Sequence, residues 1–202
     1  FKSIVPLIKS LNNENRNFQF LITTTTISSS NLANIEFVSF NNVFHRFFPF
    51  DVNFLIKKFI LKWQPEKLFL VDSEIWPNLL LYCKEEKIPV AILNTRITKK
   101  TFRRWMLFPK TSKKIFNLIG LFLLSNSKTG EYLSKLHVKG NINYSGNLKL
   151  INIINYKKLK NANENLLLKN KFWLAASTHE GEENFCIETH IKIKKKYNDI
   201  IT

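Results

Sequence analysis

Short apolar runs alternate with longer stretches of helical spacing along most of the chain. Phe18-Gln19-Phe20-Leu21-Ile22-Thr23-Thr24-Thr25 is rich in β-branched and aromatic residues and predicts a strand. Before it, Ile4, Leu7, Ile8 and Leu11 fall on one stripe and predict a helix. Glu36 to Phe40 reads as a second short strand, and Asp51 as the cap of a helix running to about Trp63, which Pro65 ends. Lys67 to Val71 is a buried strand by pattern. A helix from about Pro77 to Lys87 follows, then the strand Pro89 to Leu93. A basic helix from about Lys100 to Phe116 leads to the strand Leu118 to Leu124. Ser127 to Leu136 reads as a helix and Ile142 to Ser145 as a strand.

This alternation argues for βαβ units and a parallel sheet covered on both faces, an α/β fold. Ligands of such sheets bind where loops leave the C-terminal strand ends, so functional residues are expected just after the strands. From Lys149 to Lys171 the chain turns polar, rich in Asn and Lys, and reads as a linker with a helix around Glu164 to Lys169. The strand Phe172 to Ala176 and a helix from about Gly181 to Tyr197 then open a second unit. One strand and one helix cannot bury a core alone. The expected division is therefore 1–148 as a first domain, 149–170 as linker and 171–202 as the start of a second, truncated domain.

Composition adds two constraints. At 45% hydrophobic and 13% aromatic residues, the 202-residue chain can bury a sizeable core. No window approaches the roughly 18 uninterrupted apolar residues of a membrane span, and no secretory leader pattern opens the chain. Its first residue is Phe1, not Met, so the natural N-terminus is expected upstream. Cys83 and Cys186 lack metal-like or disulfide-framework spacing, which suits a reducing compartment. A formal charge of +16 points to an anionic partner, whether nucleic acid, anionic membrane or phosphorylated substrate. Abundant Asn, Ile, Lys and Phe, all with A/T-rich codons, account for part of that excess.

Five segments carry candidate chemistry. Asp72-Ser73-Glu74-Ile75-Trp76-Pro77-Asn78 sets two carboxylates at a strand mouth, where acids act as a base, bind metal or hold sugar hydroxyls; the same acids equally suit a helix cap. Asn94-Thr95-Arg96-Ile97-Thr98 offers the Arg96 fork to a phosphate or carboxylate, or makes a turn with a solvated Arg. In Gly146-Asn147-Leu148-Lys149, glycine permits close backbone approach and Lys149 supplies a cation. Ser177-Thr178-His179-Glu180-Gly181-Glu182-Glu183 lies at a strand-to-helix turn. There it forms a phosphate cradle or a capping box of Ser177 or Thr178 with Glu182 or Glu183. His179 is a candidate base without a second ligand at metal spacing. Lys99 to Phe108 mixes cations with large apolar residues, as helices lying on anionic membranes do; a core-facing helix with a wet basic side has the same pattern, and so does Phe44 to Asp51.

Taken in order, these segments resemble the 3-deoxy-D-manno-octulosonic acid (Kdo) transferase family. Asp72 to Asn78 is similar to its E-T-E-x-W-P-N segment, Asn94 to Thr98 to N-A-R-x-S, Gly146 to Lys149 to G-N-L-K, and Ser177 to Glu183 to S-T-H-x-G-E-E. Phe48-Pro49-Phe50-Asp51 is similar to its P-x-D turn. One departure is visible: Asp72 stands where the family usually has Glu.

The resemblance implies a GT-B fold, two Rossmann-like domains facing a cleft, with the acceptor side in the first. It implies transfer of Kdo from CMP-Kdo to lipid A precursor (lipid IVA) by direct displacement with inversion, with no metal or other cofactor, in lipopolysaccharide synthesis at the cytoplasmic face of the inner membrane. By the same resemblance Lys149 and Asp72 or Glu74 are transition-state stabilisers. Asn94 and Arg96 shape the acceptor side or brace the acids, while Ser177, Thr178, His179 and Glu182 serve the substrate from the second domain. Arg103, Arg104 and Trp105 mark the expected membrane or acceptor surface. Implied partners are lipid A precursor, CMP-Kdo and the anionic membrane surface, and no nucleic acid. The family's general base, a Glu in a Gly-Glu pair, is expected immediately before Phe1, so the 202 residues alone are expected to be inactive. Other readings are a GT-B transferase with a different nucleotide-sugar donor, or a non-catalytic basic domain binding membrane or nucleic acid.

Overall fold

The computed structural model describes residues 1–151 and 163–202. Its contacts divide the chain into two compact units, Phe1–Ile153 and Ile154–Thr202. Part of the expected linker, residues 152–162, lies outside the described residues.

The first unit opens with a 3-10 turn, Lys2–Ile4, and α1 (Val5–Glu14). Then come β1 (Phe20–Thr24), α2 (Ile27–Glu36), β2 (Val43–Phe47), α3 (Asn53–Trp63), β3 (Leu68–Val71) and α4 (Pro77–Glu85). After these follow β4 (Val90–Thr95), α5 (Lys99–Met106), α6 (Pro109–Phe116), β5 (Leu121–Leu124), α7 (Ser127–Lys135) and β6 (Asn141–Tyr144), with a 3-10 turn at Leu148–Ile151. The strands form two parallel sheets, β1-β2 and β3-β4-β5-β6. The α/β class expected from the alternation is therefore the one observed.

β4 is buried along its whole length, as its run Val90-Ala91-Ile92-Leu93 requires of a strand flanked by two others. β6 is an exposed edge, and its Asn141 and Asn143 suit that place. The main core gathers Ile56, Leu79, Leu80, Ile92, Phe116, Phe122 and Leu133 around the four-stranded sheet. A smaller core beside β1-β2 holds Val5, Ile8, Ile22 and Phe37. Cys83 lies fully inside the main core, and burial pushes its thiol up to about 11. It remains a protonated, inert packing residue at neutral pH.

Several expected elements differ. The strand expected at Glu36–Phe40 is instead the end of α2 and a turn. Thr26 starts that helix by accepting from Ser29 N, and Phe37 drops into the small core against Phe1 and Phe40. The partner of β1 is β2, whose Val43–Phe47 run takes in the first half of the segment Phe44 to Asp51 read as a candidate surface patch. The single basic helix at 100–116 is two helices. Pro109 has no N–H to continue the first, and the Ser112 hydroxyl ties the elbow by donating to the carbonyls of Trp105 and Phe108. Asp51 does not cap α3, which begins after Val52 without a side-chain cap; its real partner is described below.

The second unit contains α8 (Glu164–Lys169) and α9 (Glu182–Lys194). The strand expected at Phe172–Ala176 is reduced to one parallel bridge, Phe172 to Ile201. A strand exists only as far as a neighbour hydrogen-bonds it, and here two backbone bonds do so: Trp173 N to Ile201 O and Ile201 N to Lys171 O.

Candidate active site

The C-terminal ends of β3 and β4 are held by two adjacent left-handed residues, Asp72 at φ 61° and Asn94 at φ 54°. That region is unfavourable for most side chains, and Asp and Asn are among the few that tolerate it. The side chains then do what the backbone turns permit. The Asn94 amide donates to the Asp72 carboxylate, and its carbonyl oxygen accepts the backbone N–H of Leu148 at 3.1 Å. Asn94 is 3% exposed, so it is a buried hub joining three turns. The Ser73 hydroxyl donates to the Arg96 carbonyl, a second tie between the same two turns. Thr129 accepts from Ile97 N at 3.0 Å, and Ser125 donates to the Thr95 carbonyl, which joins β5 and α7 to the same edge.

The acids themselves do not cap α4. Asp51 does: its carboxylate accepts Asn78 N at 3.0 Å and Leu79 N at 2.9 Å, and the Asn78 amide donates back to the Asp51 carbonyl. Trp76, at the formal cap position, has no side chain able to accept. The helix start is therefore satisfied from 27 residues away, and Asp72 and Glu74 are released from that duty. Glu74 is exposed, and its carboxylate has no hydrogen bond or ion pair among the described residues. Asp51 is the member of this edge that sequence reasoning placed wrongly; a Pro-started helix preceded by Trp was the available signal that an acceptor must come from elsewhere.

Lys149 follows Leu148 directly and is exposed, its N–H bonded to Asn147 Oδ1 at 3.0 Å. Gly146 takes φ 79°, a turn that a side chain would strain. Arg96 is exposed, without a side-chain partner among the described residues. Beneath the acid turn lies a water-sized cavity of about 10 Å³ lined by Asp72, Ser73, Ile97, Thr101 and Trp105 among others. Trp105 is thus half-buried, its ring edge-on to Phe116 at 5.2 Å, while Arg103 and Arg104 are exposed. The apolar groups that α5 and α6 do present to solvent are Met106, Leu107 and Phe108 at the elbow.

In the second unit, Ser177 is left-handed at φ 57° and its carbonyl meets His179 Nδ1 at 3.0 Å. Glu182 reaches back to His179 N at 2.9 Å. The capping box expected with Ser177 or Thr178 does not form: Gly181, at φ 90°, occupies the cap position of α9 without a side-chain acceptor. Among the described residues no three His, Cys, Asp or Glu side chains cluster as metal ligands would.

The profile of a family described as 3-deoxy-D-manno-octulosonic-acid transferase (kdotransferase) matches residues 1–152. A protein of Arabidopsis thaliana named probable 3-deoxy-D-manno-octulosonic acid transferase, mitochondrial, is 28% identical over 98% of this chain and 45% of its own length. The 3-deoxy-D-manno-octulosonic acid transferase of Haemophilus influenzae is 26% identical over 97% of this chain and 46% of its own length. That of Rickettsia prowazekii is 26% identical over 96% and 41% respectively. The chain spans less than half the length of these relatives.

Proposed function

The chain belongs to the 3-deoxy-D-manno-octulosonic-acid transferase family, and from that premise we propose that it supplies the acceptor-side domain of a glycosyltransferase that moves Kdo from CMP-Kdo to a lipid A precursor. The observation that carries this reading is the Asp72–Asn94–Leu148 chain of hydrogen bonds. It fixes the acid turn against the turn that bears Lys149, so carboxylate and cation are presented at one sheet edge.

In the proposed reaction an acceptor hydroxyl attacks the anomeric carbon of Kdo from the face opposite CMP. The new C–O bond forms as the bond to the CMP phosphate breaks, a base removes the hydroxyl proton, and configuration inverts. Lys149 steadies negative charge on the departing phosphate, and Asp72 or Glu74 stabilises the positive character that grows at the sugar. Asn94 holds Asp72 in place. Arg96, exposed and without a side-chain partner among the described residues, is available to an anionic group of the acceptor. Ser177, Thr178, His179 and Glu182 are assigned to the donor side. Metal and organic cofactors have no part in this scheme.

A lipid acceptor accords with the apolar groups near this edge. Phe50, 83% exposed, precedes Asp51, which is clamped to the start of α4, and Phe47, Val52 and Phe54 are exposed around it. The elbow Met106-Leu107-Phe108 with Arg103 and Arg104 suits an anionic bilayer surface, which supports the reading that the protein works at a membrane, taken here to be the cytoplasmic face of the inner membrane. The described residues include no helix long and apolar enough to cross a membrane.

The test is transfer of labelled Kdo from CMP-Kdo to lipid IVA by the product of the complete gene. Lys149→Ala is expected to lower kcat by roughly a hundredfold or more with the fold intact. No transfer from CMP-Kdo, with turnover of another nucleotide sugar, would replace this reading with a related transferase of different donor.

A further inference from the structure

The residues opposite the candidate active site are as one-sided in charge as the site is mixed. Lys84, Lys110, Lys113, Lys114 and Lys139 line an open concavity of about 380 Å³ together with Asn117 and Leu118, with no carboxylate in its lining. Its place follows from topology. Lys84 is in the last turn of the helix that leads into β4, Leu118 precedes β5, and Lys139 precedes β6. All lie at strand N-terminal ends, whereas Asp72, Asn94 and Gly146 lie at C-terminal ends of the same parallel sheet. A ligand held here is therefore not the reacting group.

Helix electrostatics explain only part of the cluster. Lys84, Lys113 and Lys114 sit in the last turns of α4 and α6, where cations offset the negative end of the helix dipole. Lys110 is in the first turn of α6, where the dipole disfavours a cation, and Lys139 is in a loop. None of the five pairs with a carboxylate among the described residues. Five like charges around one hollow repel each other, and an anion is what relieves that repulsion.

The hollow is also held in shape. The Asn117 amide donates to the carbonyls of Lys113 and His137, and its oxygen accepts Lys139 N at 2.6 Å. At Gly140 a Cβ would stand 2.4 Å from the Ile119 carbonyl, so the loop bearing Lys139 is pressed against the start of β5. The backbones that carry Lys113 and Lys139 are thus fixed relative to one another before any ligand arrives, which lowers the cost of binding.

We propose that this lysine concavity is a binding site for a multiply charged phosphate group, separate from the candidate active site and independent of the transferase reading. The chemistry fits either a phospholipid headgroup or a free phosphate compound. The test titrates inorganic pyrophosphate into the isotope-labelled chain and follows the amides of Asn117, Lys139 and Gly140. Saturable shifts there are expected. Lys113→Gln with Lys139→Gln should weaken binding about tenfold, Lys113→Arg with Lys139→Arg should restore it, and Lys99→Gln with Lys100→Gln on α5 should leave it unchanged. Matching melting curves confirm that the variants fold. A second arm adds vesicles of phosphatidylglycerol in phosphatidylcholine. Competition with pyrophosphate at these amides assigns a lipid headgroup, and vesicles that leave the shifts unchanged assign a soluble phosphate; either supports the site. Absence of saturable shifts, or an equal loss in the α5 control, would show only diffuse surface charge and overturn the proposal.

Discussion

The two edges of the four-stranded sheet are built from the same strands by different means. At the C-terminal edge, left-handed Asp72 and Asn94 hold unfavourable backbone conformations, and side-chain hydrogen bonds lock them. At the N-terminal edge the holding is shared between a backbone contact, the close pass of Gly140, and the three side-chain bonds of Asn117. The first edge commits side-chain polarity to its own geometry, and the side chains of Glu74, Arg96 and Lys149 have no partner among the described residues. The second leaves its five lysine side chains without a carboxylate partner among the described residues. The difference teaches that a site for chemistry and a site for charge recognition make different demands on a parallel sheet.

Substitutions sharpen or break this contrast. Asn94→Leu should be the most damaging, because it strands both Leu148 N and the Asp72 carboxylate and places a branched side chain at a left-handed position. A loss of roughly 3 kcal/mol is expected, read by denaturant unfolding. Gly140→Ala tests the other edge, where a Cβ meets a backbone oxygen that cannot turn aside; about 2 kcal/mol of destabilisation is expected. If Gly140→Ala were harmless, the claim that backbone contact shapes that edge would fail. Asp51→Ala removes the borrowed cap of α4 and should cost about 1 kcal/mol. Its signature is faster hydrogen exchange at Asn78 and Leu79, with the N-terminal edge unaffected.

The smallest effect lies away from both edges. His45 is held below its ordinary value by burial first and by Arg46 second, and its ring meets the Thr24 hydroxyl at 2.9 Å. With the folded value lowered, its contribution to stability is complete above the unfolded value near 6.5 and is lost as the pH falls through the folded one. Melting between pH 7.5 and pH 5 should therefore show a shallow decline that His45→Asn flattens. Persistence of the same slope would assign it to other groups.

Much of this was legible in the residues. The apolar runs of β3, β4 and β5 are dense enough to announce buried parallel strands, and the segments after β3 and β4 did come together through Asn94. What escaped was whatever depended on distant partners. The helix α2 is composed largely of Ser and Asn, weak helix formers, and is held by burial of Ser30 and Ala33. Phe37 and Phe40 looked like strand alternation but serve a turn. Trp105 looked like a surface residue because its neighbours are cations, yet its ring packs on Phe116, eleven positions later. Lys110, Lys113 and Lys114 share one face of α6 by spacing, but Lys84 and Lys139 join them only through the fold.

The borrowed cap of α4 has a consequence for portability. A peptide cut to contain the acid turn and its helix, Asp72 through Glu85, would have its first amides unanswered and its left-handed residue without Asn94. It would not reproduce the conformation it has in the protein. Antibodies raised against such a peptide should recognise the denatured chain better than the folded one, and grafting the turn onto another scaffold would require bringing Asp51 and Asn94 along with it.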